Sequence, residues 1–317
     1  ATTLDRAPQT VVAIGEKAVA ENLDTVRALG RQLYGTGDVA TIIARTGQAE
    51  DNHFASQQAL IDFSAATVEA ARLKSIPLFG QLPDQSVVVE PPPAHERGSG
   101  LSSHYDPEPD RTRPAVYRIN IDNWQADTRG AAEITAVHET WPGHHLQMAL
   151  AAGLGNQHRL SRLVYNAAYV EGWARYAESL AEEAGIYTTQ HALISRRIWP
   201  ARGMVVDPGI HVGGWSRERA RDYLVATGRF DATKADAQVD RIAAIPAQLT
   251  AYDSGGLEIL ALRREAQAAL GADFDLRDFH REVLADGIVP LSTLRARIEA
   301  WIASRKSAAP QGAARGS

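Results

Sequence analysis

The stretch 135-TAVHETWPGHHLQ-147 decides how the chain is read. It nearly spells H-E-x-x-H, in which two histidines one helical turn apart bind zinc and the glutamate acts as base. Four residues after His138, where the second histidine belongs, stands Pro142, and histidines follow only at His144 and His145. In an unbroken helix His144 lies about 120° around the axis from His138. His145 returns to within about 20° but sits about 10 Å further along, so neither can share an ion with His138. Pro142 removes the hydrogen bond to the His138 carbonyl and collides with it, while Gly143 tolerates the dihedrals that result. The motif therefore predicts a helix that breaks or kinks at Pro142 and absorbs two extra residues, so that His144 takes the missing place.

Outward from this stretch, Asp127 or Thr128 is the expected cap of a helix that starts near Gly130 and faces inward through Ala131, Ile134, His138, Trp141 and His145. Before it, 115-AVYRINI-121 alternates as a strand does, SVVVE from Ser86 reads as a short strand, and the proline- and glycine-rich stretch 91–114 between them predicts a long loop or flap. Helical periodicity covers 10–30 and 49–73. It returns over 158–184, 188–204, 216–227, 231–244, 246–270, 275–285 and 291–304. The class is mostly α with a small β element before the motif helix, expected as one domain over 1–306 with a disordered tail at 307–317.

On the next helix the inward stripe runs Leu160, Val164, Ala167, Glu171, Ala174 and Glu178. An unpaired buried carboxylate is costly, so each of these glutamates needs a cation, a metal or a hydrogen-bond network. Arg175 and Arg202 are the ordinary partners. Beside the motif histidines, however, Glu171 completes the three N/O donors of a catalytic zinc site with an open position for water. Zinc lowers the pKa of bound water from about 16 toward 7, and Glu139, directly after His138, is placed to take the proton and deliver it to a leaving amine.

Bulk composition narrows the classes. The chain has 317 residues, 44% hydrophobic and 22% charged, and 33 basic residues against 38 acidic give a net charge of −5. That balance carries no nucleic-acid footprint. With no cysteine, disulfides, thiolate ligands and a cysteine nucleophile are excluded, but the compartment is not fixed: cytoplasmic and exported settings both remain. No apolar run reaches the roughly 18–20 residues of a membrane span. The N-terminus ATTLDRAPQT has neither an initiator Met nor an apolar signal core, so the chain is expected to begin after processing, truncation or at an engineered start.

Five blocks, HETWPGHHLQ (138–147), YVEGWARYAESL (169–180), RGMVVDPGIHVGGWSRERA (202–220), AYDSGGLEILALR (251–263) and FHREVLADGIVPL (279–291), resemble in order those of the bacterial domain of unknown function 885 family, over about 100–305. The resemblance implies a zincin-like helical metallopeptidase fold. It makes His138 and His144 the metal-binding histidines, Glu139 the catalytic glutamate and Glu171 the third ligand. Glu178 becomes a carboxylate that orients a histidine ring. The position of His145 also accepts tyrosine in the family, which favours His144; His145 stays as the alternative ligand. His211 is the first candidate for stabilising an oxyanion and Tyr252 the second. Family members are usually longer on the N-terminal side, which implies a separate chain or domain completing the cleft, its loss, or a compact variant.

Arg196, Arg197 and Arg202 are candidates for a substrate carboxylate or, equally, partners for Asp207 and the glutamates. Strand 115–121, with Tyr117 as a substrate-binding residue, reads either as an edge that pairs with an extended peptide or as a structural hairpin. His53, His158, His191 and His280 read as core histidines, His95 and His104 as solvated loop residues, with a place in a cleft the alternative, and Trp141, Trp173, Trp199 and Trp215 as core packing, with pocket lining the alternative for Trp173 beside Glu171. The leading functional expectation is a Zn2+-dependent peptidase acting on peptides or small amides. A zinc hydrolase of esters or non-peptide amides, and a non-catalytic helical protein with a structural or vestigial metal site, are the alternatives.

Overall fold

The computed structural model describes residues 2–154, 165–228 and 230–308. Proline at its first position and the left-handed Gly35 after its last bound α1 (Pro8–Tyr34), longer at both ends than the predicted 10–30. Asp38 caps α2 (Val39–Gln48), an element the periodicity did not predict, by accepting from the Thr41 amide at 2.8 Å. Ser56 caps α3 (Gln57–Phe79). The helix predicted from 49 therefore starts later, after a single 3-10 turn at Glu50–Asn52.

Three short strands follow, β1 (Val87–Glu90), β2 (His104–Asp106) and β3 (Ala115–Arg118), in the order β1-β3-β2. β1 runs parallel to β3 with Val87 opposite Ala115, and β2 runs antiparallel with Tyr105 opposite Tyr117. β2 falls inside the stretch predicted as loop. β3 is central, so both of its edges are occupied. The expectation that 115–121 pairs with a peptide is thereby corrected, and β2 and β3 form the structural hairpin. β3 also stops at Arg118 rather than 121.

Thr128 accepts from the Ala131 amide at 3.3 Å and starts α4 (Arg129–Glu139), and α5 (His144–Gly153) follows the break. Asn166 caps α6 (Ala167–Glu183). The earlier part of the helix predicted from 158, with Leu160, Val164 and the predicted core residue His158, lies outside the described residues, as does the tail beyond 308. The helix predicted over 188–204 is two, α7 (Gln190–Arg197) and α8 (Arg202–His211). Pro200 cannot donate to a preceding carbonyl and disfavours helix at Trp199, and Ala201 turns left-handed at φ 67°. The remaining helices, α9 (Arg217–Ala226), α10 (Ala232–Ala244), α11 (Gln248–Leu270), α12 (Leu276–Leu284) and α13 (Leu291–Ala308), follow their predicted ranges within a few residues.

The main core joins Tyr117, Val137, Trp141, Leu146, Tyr169, Trp173, Ile259, Phe279 and Leu294. What sets the site is the crossing of α6 and α11. Ala168 and Gly172 on α6 face Gly255 on α11 so closely that a Cβ on Gly172 would stand 2.5 Å from the Gly255 Cα. Without side chains in between, backbone meets backbone, and Glu171, Arg175 and Glu178 of α6 are brought against Tyr252 and Asp253 of α11.

Candidate metal centre

His138 is the last residue but one of α4, and His144 is the first of α5. Between them the chain turns through residues 140–143, with a cis peptide between Trp141 and Pro142. Gly143 lies against the end of α4: a Cβ there would collide with the carbonyl oxygens of Val137 and His138. Trp173 of α6 donates its indole N–H to the Pro142 carbonyl oxygen at 2.9 Å, fastening the turn to the helix that carries Glu171. The predicted break therefore occurs. It leaves the His138 and His144 rings 4.8 Å apart between centroids and perpendicular, at 88°.

Glu171 Oε2 lies 3.4 Å from His138 Nε2 and 3.4 Å from His144 Nε2. One ligand atom from each of the three residues falls within 4.8 Å of the other two. Two imidazole nitrogens and a carboxylate oxygen are donors that suit zinc. The remaining nitrogen of His138, Nδ1, donates to Glu178 Oε1 at 2.8 Å, the carboxylate–histidine pairing that turns a ring toward a metal. The buried His144 Nδ1 has no hydrogen-bond partner. These residues fit a metal ion.

The electrostatics have the same sense. Burial pushes the His138 imidazolium toward losing its proton, but the carboxylates of Glu171, Glu178 and Glu139 outweigh it and raise the pKa to about 10. Burial opposes ionisation of Glu171 as well, yet the two histidines hold its carboxyl far below the usual range. Glu178, also buried, is held low by Arg175 and His138. The cluster thus draws a positive charge to one point.

Glu139 stands beside the cluster on the wall of a cavity of about 340 Å³ that also includes His138, Arg175, Tyr252 and Arg241. Its Oε2 accepts the Tyr105 amide N–H at 2.9 Å. Burial raises its pKa, against the pull of His138 and His144. Tyr252 stacks on the His138 ring, 6.3 Å between centroids and 22° between planes. Burial, helped by the Glu171 charge, pushes its hydroxyl up to about 12.

Other predicted residues are not brought to the cluster. His145 turns away: its Nε2 donates to the Gln85 carbonyl at 2.8 Å and its Nδ1 accepts from the Tyr105 hydroxyl at 3.1 Å. His211 sits on α8 and bonds through Nδ1 to Asp207 at 2.9 Å. No contact among the described residues links it to the cluster. Arg202 is buried and gives its guanidinium to the carbonyls of Pro200 and Thr227. Arg196 and Arg197 pair with Glu182, not with Asp207. Tyr117 is buried in the sheet and does not line the cavity. Of the two ordinary partners expected for the glutamates, Arg175 does pair with Glu178, at 2.8 Å.

Two contributors went unread in the sequence, and a third was read in another role. Tyr105 holds Glu139 and His145 from a strand too short to show alternation. Tyr165 donates its hydroxyl to Glu171 Oε1 at 3.1 Å. Trp173, read as core packing or as pocket lining, is buried and does not line the cavity; two residues after Glu171, it lies on another face of α6, toward the break.

Comparison with known proteins bears on this arrangement. A crystal structure from Colwellia psychrerythraea, described as a "putative lipoprotein", is similar at a TM-score of 0.88 and 29% identity, over 95% of this chain and 53% of that one. A "putative lipoprotein of unknown function" from Shewanella oneidensis is similar at a TM-score of 0.76 and 20% identity, over 91% of this chain and 55% of that one. This chain spans about half the length of these structures. No curated protein matches it. The family match reaches well before the motif-bearing blocks: over residues 1–298 the chain belongs to the family described as "Bacterial protein of unknown function (DUF885)".

Proposed function

We propose that this chain carries a zincin-like centre that hydrolyses peptide or peptide-like amide bonds. The observation that carries this reading is the meeting of His138, His144 and Glu171, with ligand atoms within 4.8 Å of one another, beside Glu139 on an open cavity. Zinc bound there supplies Lewis acidity and lowers the pKa of water. Glu139 then acts through Oε1, since Oε2 is held by the Tyr105 amide. It takes a proton from the water that attacks the carbonyl carbon, and gives it to the nitrogen as the C–N bond breaks. Tyr252, protonated at neutral pH, is placed to donate to the developing oxyanion, the role the sequence assigned first to His211. Three protein donors rather than four, among the described residues, favour a catalytic site over a closed structural one.

An ester or non-peptide amide meets the same chemistry, and profiling against all three bond types separates them. Two wider proposals go with the reading. The description of both structural neighbours as lipoproteins supports an exported setting. Their greater length supports a further portion of chain that completes the cleft. No helix among the described residues is long and apolar enough to cross a membrane.

The test is a metal assay paired with peptide-library cleavage. One zinc per chain is expected, with cleavage abolished by chelation and in Glu139→Gln while that variant keeps its zinc. Protein with His138 and His144 intact that binds no zinc would sink the reading.

A further inference from the structure

We infer that Arg241 receives the terminal carboxylate of the substrate, so that the site takes peptides or amides whose last residue is apolar and ends in a free acid. The inference rests on the hydrolase reading for the bond that is cut, but the anion site stands on separate observations.

The first is how the cations of the cavity are used. Arg175 and Arg241 both line the cavity that holds His138 and Glu139. Arg175 is committed: its Nη1 donates to both oxygens of Glu178, at 2.8 and 3.0 Å, and its Nε lies 3.6 Å from Asp253. Its guanidinium also lies over the Trp199 and Tyr252 rings, at 5.5 and 5.6 Å. Arg241, in the last turn of α10, is exposed and makes no ion pair or side-chain hydrogen bond among the described residues. The other arginines considered for a carboxylate are spent on Glu182 or on backbone carbonyls. Arg241 is therefore the arginine of this cavity whose donors face no protein acceptor.

The second is what adjoins it. A smaller cavity of about 80 Å³ shares Arg175, Trp199, Arg241 and Tyr252 with the first. Its wall is mostly apolar, through Leu224, Phe230, Ile242 and Leu249, with Arg202, Gln238 and Asp253 completing it. That volume suits a branched aliphatic side chain. A guanidinium offers a planar pair of donors that matches a carboxylate. Arginine at the shared wall, with a mostly apolar chamber beside it and the histidine–glutamate cluster beyond, matches a C-terminal residue: carboxylate on Arg241, side chain in the chamber, preceding amide toward Glu139.

The test is calorimetric binding to the Glu139→Gln protein, with zinc added and after chelation, of three probes: N-acetyl-Ala-Leu acid, N-acetyl-Ala-Leu amide and N-acetyl-Ala-Glu amide. The acid is expected to bind at least about tenfold tighter than either amide, a preference that shrinks in high salt. Arg241→Gln should bring acid and amide within about twofold, and Arg241→Lys should restore part of the difference. Equal binding of acid and amide, a preference that survives Arg241→Gln, tighter binding of the side-chain acid, or no binding of any probe overturns the inference. A protein that takes no zinc yet prefers the acid removes the hydrolase reading and leaves the Arg241 site standing. One that holds zinc without the preference does the reverse.

Discussion

Glu178 Oε1 lies 2.8 Å from His138 Nδ1, and that bond settles which edge of the imidazole looks into the cluster. An ionised Glu178 accepts the hydrogen bond from Nδ1–H and leaves Nε2 toward Glu171 and His144. Glu178→Gln keeps the shape and loses the charge, so the zinc affinity that the proposed centre requires should fall about 10- to 100-fold. Competition against a chromophoric chelator measures it. Unchanged affinity would mean that Glu178 serves only Arg175.

Gly143→Ala should disable the centre from outside it. The added Cβ would stand 2.6 Å from the His138 carbonyl carbon, and backbone on both sides cannot yield as a side chain would. A cost of about 1–3 kcal/mol is expected, together with loss of zinc, because the turn that joins the two histidines must open. Urea denaturation of the chelated protein and a zinc assay report the two effects separately.

Gly255→Ala tests the helix crossing. Its Cβ would come 2.7 Å from the Gly172 Cα and closer still to the Ala168 carbonyl, forcing α11 away from α6. The expected destabilisation is about 1–3 kcal/mol, read as a lower urea midpoint. An alanine tolerated without change would show that the two helices can slide past each other.

His280 predicts a pH dependence away from the histidine–glutamate cluster. Burial lowers its pKa to about 4, against the bond to the Leu78 carbonyl, from 6.5 in a free chain. The folded histidine is neutral, its Nε2 meeting the Tyr176 hydroxyl at 2.8 Å and its Nδ1 donating to Leu78 at 2.9 Å. Between pH 6.5 and 4 the unfolded chain takes up a proton that the folded one does not. Stability present above pH 6.5 should therefore be lost as the pH falls toward 4, by about 1.4 kcal/mol per pH unit. Urea midpoints of the chelated protein across this range should drop less steeply in His280→Gln; equal slopes would remove the assignment.

Much of the centre was legible because it obeys local rules. Pro142 and Gly143 must interrupt a helix, and the stripe that puts Glu171 and Glu178 on the buried face of α6 follows from its period alone. What was not legible depends on partners far along the chain. The three residues of β2 sit among prolines and glycines, and only the pairing of Tyr105 with Tyr117 makes them a strand. Tyr117 and Arg202 carry side chains suited to ligands, yet the fold buries both, and no local pattern says so. Pro200 was a readable stop signal inside a stretch otherwise periodic enough to pass as one helix. His211 shows the opposite failure: its i,i+4 neighbour Asp207 was visible and already explained it.

The break at Pro142 also changes what a residue count measures. In a continuous helix, spacing is a ruler graduated in rise and rotation, and four residues return a side chain to its starting face. Across residues 140–143 the count measures only the slack of a short tether, while Trp173 and the Val137 and His138 carbonyls decide where its far end is tied. A tether can be lengthened or shortened while its anchors hold. The separation of His138 and His144 in sequence is therefore free to differ in other chains that keep those anchors, and the anchors, more than the interval, are the mark by which such a centre is recognised.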